Sequence, residues 1–148
     1  MVTEDLSFQK DELPEDRSLI IVDDDRPFLQ RLARAMELRG FEVRSAHSIA
    51  EGIELIRAHP PAFAVVDMRL EDGNGLDVIA ELTKVRPDTR VIVLTGYGNI
   101  ATAVSAVKLG AIDYLAKPAD ADDVTDALLA PHNAKAAPPE NPMSADRV

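Results

Sequence analysis

The sequence has no cysteine among its 148 residues, which excludes disulfides, thiolate metal sites and thiol redox chemistry. No apolar run approaches the roughly 18 residues of a membrane span, and the first residues are acidic where a signal peptide would be basic and then apolar. Basic residues are also scarce: 16 against 26 acidic residues give a net charge of −10, which opposes general attraction to nucleic acid or an anionic membrane. We therefore expect a cytoplasmic chain with no membrane contact, whose redox sensing, if any, takes place in a partner.

Length and hydrophobic content favour one globular domain, because 46% hydrophobic residues suffice for a full core. Residues 1–17 hold six acidic and two basic residues with few large apolar ones, which predicts a mobile tail. Residues 131–148 hold four prolines and no periodic apolar face, which predicts a linker. The domain is expected to span residues 18–130.

Short apolar runs alternate with segments of helical periodicity in this domain. The predicted strands are residues 18–22, 41–46, 63–66, 90–95 and 111–116. Five helices are predicted between and after them, with boundary residues Pro27, Gly40, Ser48 with Glu51 as a capping box, Pro60, Pro87 and Gly110. Five βα units with near-continuous apolar strands predict an α/β fold, a doubly wound parallel sheet with helices on both faces.

The residues that end the predicted strands point to a reactive site, because ligands bind at the carboxyl ends of such strands. Asp23 and Asp24 follow the first strand, Asp67 the third, Thr95 the fourth and Lys117 the fifth. Three converging carboxylates require a cation, and hard oxygens favour Mg²⁺. A hydroxyl and an ammonium opposite the cation suit phosphoryl oxygens. Each residue alone could have an ordinary structural role, so it is their joint placement that indicates a site.

The segments IIVDDD, AVVDMRLEDGNGLDV, VIVLTGYG and DYLAKPAD resemble the receiver domains of two-component response regulators. The resemblance covers roughly residues 18–130 and implies a flavodoxin-like fold with strand order 2-1-3-4-5 and five helices. The segments RPFLQRLARAMELRGFEV and PPENPMSADRV extend it to the redox-responsive RegA/PrrA/ActR type of regulator. Those regulators carry a helix-turn-helix domain after a proline-rich linker, so we expect DNA binding in a longer parent protein and none by this chain alone.

The resemblance also implies a role for each acidic residue of the site. Asp67 would be the phosphoacceptor and, with Asp23, Asp24 and the backbone carbonyl of Arg69, would bind Mg²⁺. Asp25, the third acidic residue of the cluster, is expected to start the following helix instead.

The remaining implied roles concern the phosphoryl group and the output. Thr95 and Lys117 would hold the phosphoryl oxygens, the bond from Lys117 to Pro118 would be cis, and Thr95 with Tyr114 would form a switch. The implied partners are a sensor histidine kinase and, after phosphorylation, a second copy that pairs through the face of the fourth helix, fifth strand and fifth helix. Candidate ion pairs across that face join Lys108 to Asp113 or Asp122.

Three other functions are weighed against this one. A magnesium-dependent phosphohydrolase would present a D-x-D pair, whereas Asp67 is followed by Met68 and Arg69. A nucleotide-binding protein would need a glycine-rich loop after the first strand, and DDDRPF contains no glycine. The alternative that the chain is a stand-alone receiver, which acts by docking to a partner protein, stays open. The resemblance to receiver domains predicts a signalling domain that catalyses only its own phosphorylation and dephosphorylation. We therefore do not expect an enzyme in the usual sense.

Overall fold

A computed structural model of the chain describes residues 15–96, 100–117 and 119–130. Five parallel strands form one sheet in these residues: β1 (Ser18–Val22), β2 (Glu42–Ala46), β3 (Phe63–Asp67), β4 (Arg90–Thr95) and β5 (Asp113–Ala116). Their order is β2-β1-β3-β4-β5, which confirms the parallel α/β sheet and the strand order that the resemblance implies. The predicted linker, Pro118 and all but the last three residues of the predicted tail lie outside the described residues.

In the part of the chain that the structure describes, five helices cover the two faces of the sheet: α1 (Arg26–Leu38), α2 (Ile49–Ala58), α3 (Leu76–Val85), α4 (Ile100–Leu109) and α5 (Ala121–Leu129). Helices α1 and α5 pack on one face, and α2, α3 and α4 pack on the other, so that there are two hydrophobic clusters. The longest helix has 13 residues, and no helix in the described part of the chain has the length and apolar character to span a membrane.

The burial of the strands agrees with their positions in the sheet. All five residues of β3 are buried, as are the last four of β1, because both faces of these central strands are covered by helices. The edge strands β2 and β5 instead leave residues exposed. The near-continuous apolar runs of β1 and β3 therefore agree with their central positions in the sheet.

Several helix boundaries follow from capping. The side chains of Asp25, Ser48 and Asp120 accept hydrogen bonds from the first-turn amides of α1, α2 and α5. This confirms that Asp25 starts a helix. After α1 and α4 the chain turns at Gly40 and Gly110, whose positive φ angles of 101° and 130° favour glycine.

The structure differs from the predicted strands in three places. Strand β2 begins at Glu42 instead of residue 41, and β5 begins at Asp113 instead of residue 111. Strand β3 extends one residue further, to include Asp67. An additional antiparallel hairpin pairs Arg69–Leu70 with Gly73–Asn74 directly after β3.

Candidate functional site

The predicted site residues meet at the carboxyl edge of the sheet. Asp67 and Thr95 are the last residues of β3 and β4, and Asp23 and Lys117 directly follow β1 and β5. Backbone hydrogen bonds continue past the strand ends, because the amide of Asp23 donates to Ala46 at 3.0 Å and that of Lys117 donates to Thr95 at 2.8 Å. The backbone therefore holds these residues in register with the rigid sheet.

The three carboxylates of the site come close together. Asp23, Asp24 and Asp67 each offer an oxygen, and these oxygens lie within 4.8 Å of one another. Asp23 is fully buried and Asp67 is 5% exposed, whereas Asp24 is half-buried. Carboxylates this close repel one another at low dielectric unless a cation neutralises them. A set of hard oxygens without sulfur or imidazole fits Mg²⁺ or a similar divalent cation.

Lys117 supplies a positive charge beside two of these carboxylates. Its Nζ donates to Asp23 Oδ2 at 3.0 Å and lies 3.5 Å from Asp67 Oδ2. Burial lowers the pKa of Lys117, but the hydrogen bond and negative charge of Asp23, with those of Asp67, outweigh this effect and raise the pKa overall. The lysine is therefore a permanent cation at neutral pH.

Asp67 is held on the opposite side by its own chain. Its Oδ1 accepts a hydrogen bond from the amide of Arg69 at 3.2 Å. Burial, with the charge of Asp23, raises the pKa of Asp67 to about 6, although the Arg69 amide and Lys117 oppose the shift. The carboxyl group is thus mainly ionised at neutral pH, where it can act as a nucleophile.

The two predicted switch residues occupy different environments. Thr95 is buried, and its hydroxyl donates to the carbonyl of Gly96 at 2.9 Å. Tyr114 lies on β5 with 37% of its surface exposed. Residues 97–99, which follow this part of the site, lie outside the described residues. Thr95 reaches the edge where the carboxylates meet, whereas Tyr114 is exposed two positions before the end of its strand.

Phe28 is a contact of the site that the sequence reasoning missed. Phe28 lies in the first turn of α1, and Lys117 Nζ lies 4.9 Å from the centre of its ring. An ammonium over an aromatic face is attracted to it. The available signal was an aromatic residue in the first turn of the helix that follows the aspartates.

Residues 19–129 match the family model of the response regulator receiver domain. The chain belongs to the response regulator receiver family. This receiver is 65% identical over 147 residues to the photosynthetic apparatus regulatory protein RegA of Cereibacter sphaeroides, an alignment that covers 99% of the chain and 78% of RegA. It is 66% identical over 133 residues to the acid tolerance regulatory protein ActR of Rhizobium meliloti, covering 90% of the chain and 69% of ActR.

A solved structure that resembles this chain contains a phosphorylated aspartic acid. The receiver resembles a crystal structure of a response regulator protein from Burkholderia pseudomallei with a phosphorylated aspartic acid, calcium ion and citrate. The TM-score is 0.75 at 44% identity, over 80% of this chain and 70% of that one. These findings confirm the RegA/ActR type, the flavodoxin-like receiver fold and the function as a receiver domain of a two-component response regulator.

Proposed function

We propose that Asp67 accepts a phosphoryl group from a sensor histidine kinase and that the resulting aspartyl phosphate switches a cytoplasmic transcriptional regulator. The observation that carries this proposal is the buried Asp67 carboxylate beside Asp23 and Lys117, at the edge of the sheet where ligands bind. The phosphorylated aspartic acid of the related Burkholderia pseudomallei protein supports the same chemistry here.

The transfer would replace one phosphorus bond with another. As an oxygen of Asp67 attacks the phosphorus in line, the nitrogen–phosphorus bond of the phosphohistidine breaks, and the imidazole leaves with the bonding electrons. Lys117 and Thr95 would hold the phosphoryl oxygens as negative charge redistributes over them. Positioning and electrostatics would account for most of the catalysis. The domain would catalyse only its own phosphorylation and dephosphorylation.

The carboxylate cluster would hold Mg²⁺ for this reaction. Asp23, Asp24, Asp67 and the backbone carbonyl of Arg69 are the proposed ligands. When bound, Mg²⁺ would supply positive charge for the phosphoryl oxygens and would offset the repulsion among the carboxylates. The calcium ion in the related structure supports a divalent-cation site, since both ions prefer oxygen ligands.

Asp67→Asn is expected to abolish phosphoryl incorporation, because the amide keeps the shape of the side chain but is not a nucleophile. The protein is incubated with a small phosphodonor and Mg²⁺, and the mass increase of one phosphoryl group is read by intact mass spectrometry. Asp25→Asn is the matched control, because asparagine also caps helices well and this variant should still incorporate the group. Incorporation by Asp67→Asn, or equal incorporation in EDTA, contradicts the assignment.

We assign the output to the face formed by α4, β5 and α5. Four large apolar side chains on α4 and β5 are 37–43% exposed: Val104, Val107, Leu109 and Tyr114. An apolar face on a strongly acidic chain favours a protein partner over nucleic acid. A second copy would pair through this face after phosphorylation and bring together the DNA-binding domains of a longer regulator.

Charge sets a condition on this pairing. A symmetric pair uses the same patch twice, so Lys108 of one copy must meet an acidic residue of the other. Asp122 already forms an ion pair with Arg39 of α1, so pairing it with Lys108 would compete with that contact. Asp113, which accepts a hydrogen bond from the amide of Tyr114 at 2.8 Å, is the other candidate partner of Lys108.

Beryllofluoride, a phosphoryl mimic, is expected to change the rotamers of Thr95 and Tyr114 together and to shift the receiver from monomer to dimer. The physical reason is that Thr95 would turn toward the mimic and vacate space into which the exposed Tyr114 ring moves. Crystal structures with and without the mimic test the rotamers, and sedimentation tests the pairing, with Lys108→Glu as the interface variant. Unchanged rotamers, or dimers that form equally well in Lys108→Glu, count against this output.

A further inference from the structure

Asp72 connects the hairpin after β3 to the start of α2. Its Oδ1 accepts a hydrogen bond from the amide of Ile49 at 3.0 Å, and its Oδ2 accepts one from the amide of Ala50 at 3.3 Å. The next amide of the helix, that of Glu51, donates to Ser48 Oγ at 3.1 Å. Two side chains therefore satisfy the first three amides of α2, and only one of them comes from the hairpin.

The other end of the same hairpin contacts the candidate phosphoacceptor. Arg69, which pairs with Asn74 across the hairpin, donates its amide to Asp67 Oδ1 at 3.2 Å. At the hairpin's exit, a Cβ on Gly75 would lie 2.5 Å from the carbonyl oxygen of Asp67, so the returning chain packs directly against the end of β3. The position of the hairpin therefore sets the surroundings of Asp67.

Packing brings the tip of the hairpin against α2. Gly73 has a φ of +147°, and a Cβ there would lie 2.8 Å from Ile49 Cδ1, so glycine permits this contact. The hydrogen bonds from the Ile49 and Ala50 amides lower the pKa of Asp72, so its carboxylate stays charged at neutral pH. A charged carboxylate at a helix N-terminus is also favoured by the helix dipole.

We infer that Asp72 is a positioning residue for phosphoryl acceptance: by fixing the hairpin to α2, it holds Arg69 against Asp67. The inference rests on the proposed function, in which the Arg69 amide contacts the nucleophile and its carbonyl is a cation ligand. Ser48 also caps α2, but it directly precedes that helix in the sequence and forms none of these hydrogen bonds to the hairpin. Capping and positioning are therefore separable by substitution.

The test compares Asp72→Ala with Ser48→Ala in the receiver. Both variants lose a cap of α2 and are expected to show similar decreases in melting temperature. Only Asp72→Ala should shift the NMR signal of the Arg69 amide in metal-free protein. It should also weaken Mn²⁺ binding, read by the EPR signal of free Mn²⁺ and by Mg²⁺ competition, by about tenfold, since loss of residues that orient metal ligands typically costs 10–100-fold.

Asp72→Asn keeps an oxygen that can accept from Ile49, so its cation affinity should fall between those of the wild type and Asp72→Ala. Equal cation affinities and equal Arg69 shifts in Asp72→Ala and Ser48→Ala would overturn the inference and leave Asp72 as a helix cap. Failure of the proposed function is a different result: wild-type receiver would then incorporate no phosphoryl group on Asp67, whatever the cation affinities are.

Discussion

Lys117→Met is expected to lower the free energy of unfolding by about 2 to 3 kcal/mol at neutral pH in EDTA. The substitution removes the ammonium that lies 3.0 Å from Asp23 Oδ2 and 3.5 Å from Asp67 Oδ2. Two buried carboxylates then face each other without a counterion, and the loss of stability comes from leaving buried charge unpaired. Because 24% of the lysine side chain is exposed, the expected effect is at or below the lower limit of the roughly 3 to 5 kcal/mol for breaking a fully buried ion pair.

Whereas Lys117→Met should lower stability, it should increase the affinity for a cation. Without the ammonium, Mg²⁺ faces less electrostatic competition and should bind Lys117→Met more tightly. Phosphoryl incorporation should become about 100-fold slower, because the variant lacks the proposed donor to the phosphoryl oxygens. Denaturant unfolding in EDTA, Mg²⁺ titration and intact mass measure the three effects. Lys108→Met, which removes a lysine from exposed α4, is the control for net charge and should change little. Unchanged stability and unchanged incorporation would show that Lys117 has no part in the site.

The helices and strands were predictable because the local pattern of apolar residues in the sequence indicates which residues are buried. The apolar runs at residues 18–22 and 90–95 match β1 and β4 at both ends. Ser48 and Asp25 begin helices as their residue types indicate. The largest error lies at an edge of the sheet: β5 begins two residues later than predicted, because its pairing with β4 starts only at Asp113, opposite Ile92. The strand order required the family resemblance, because pattern alone does not specify which strands are neighbours.

The site was predictable to the extent that it lies at strand ends. Asp23, Asp67, Thr95 and Lys117 meet because parallel strands bring their carboxyl ends to one edge. The hairpin at residues 69–74 has strands of two residues, too short to carry any periodicity. The partner of Asp72 lies 23 residues earlier in the chain, so this contact depends on tertiary structure. The contact of Phe28 with Lys117 depends in the same way on how α1 lies on the sheet.

The electrostatics of Asp67 predict an unusual pH dependence of stability in metal-free protein. Its pKa is raised to about 6 from an ordinary value of 3.8, mainly by burial and by the charge of Asp23. Between these two values the folded protein binds more protons than the unfolded chain, so stability falls as pH rises. The contribution of this carboxyl group is greatest below about pH 4 and is lost as pH passes 6. A shift of this size corresponds to about 2 to 3 kcal/mol.

Asp67→Asn is therefore expected to stabilise the metal-free receiver at neutral pH by about 1 to 3 kcal/mol, since it removes a buried charge beside Asp23. The variant should also lack the decrease in stability between pH 4 and 6 that is expected of the wild type. Saturating Mg²⁺ should reduce or cancel this difference in stability: at 100 times its dissociation constant, a cation stabilises the wild type by about 2.7 kcal/mol, and the variant lacks one of the proposed ligands.

Urea unfolding across this pH range, with EDTA or with Mg²⁺, measures both effects. Asp88→Asn is the matched control, because it removes the same charge from an exposed position that pairs only with Arg86 among the ion pairs of the described residues. The stability of Asp88→Asn should differ little from that of the wild type, and the variant should show the same pH dependence and the same response to Mg²⁺. If Asp67→Asn were instead less stable than the wild type in EDTA at neutral pH, the ionised Asp67 carboxylate would be satisfied by its neighbours without a cation. Repulsion among the carboxylates would then give no support to the proposed cation site.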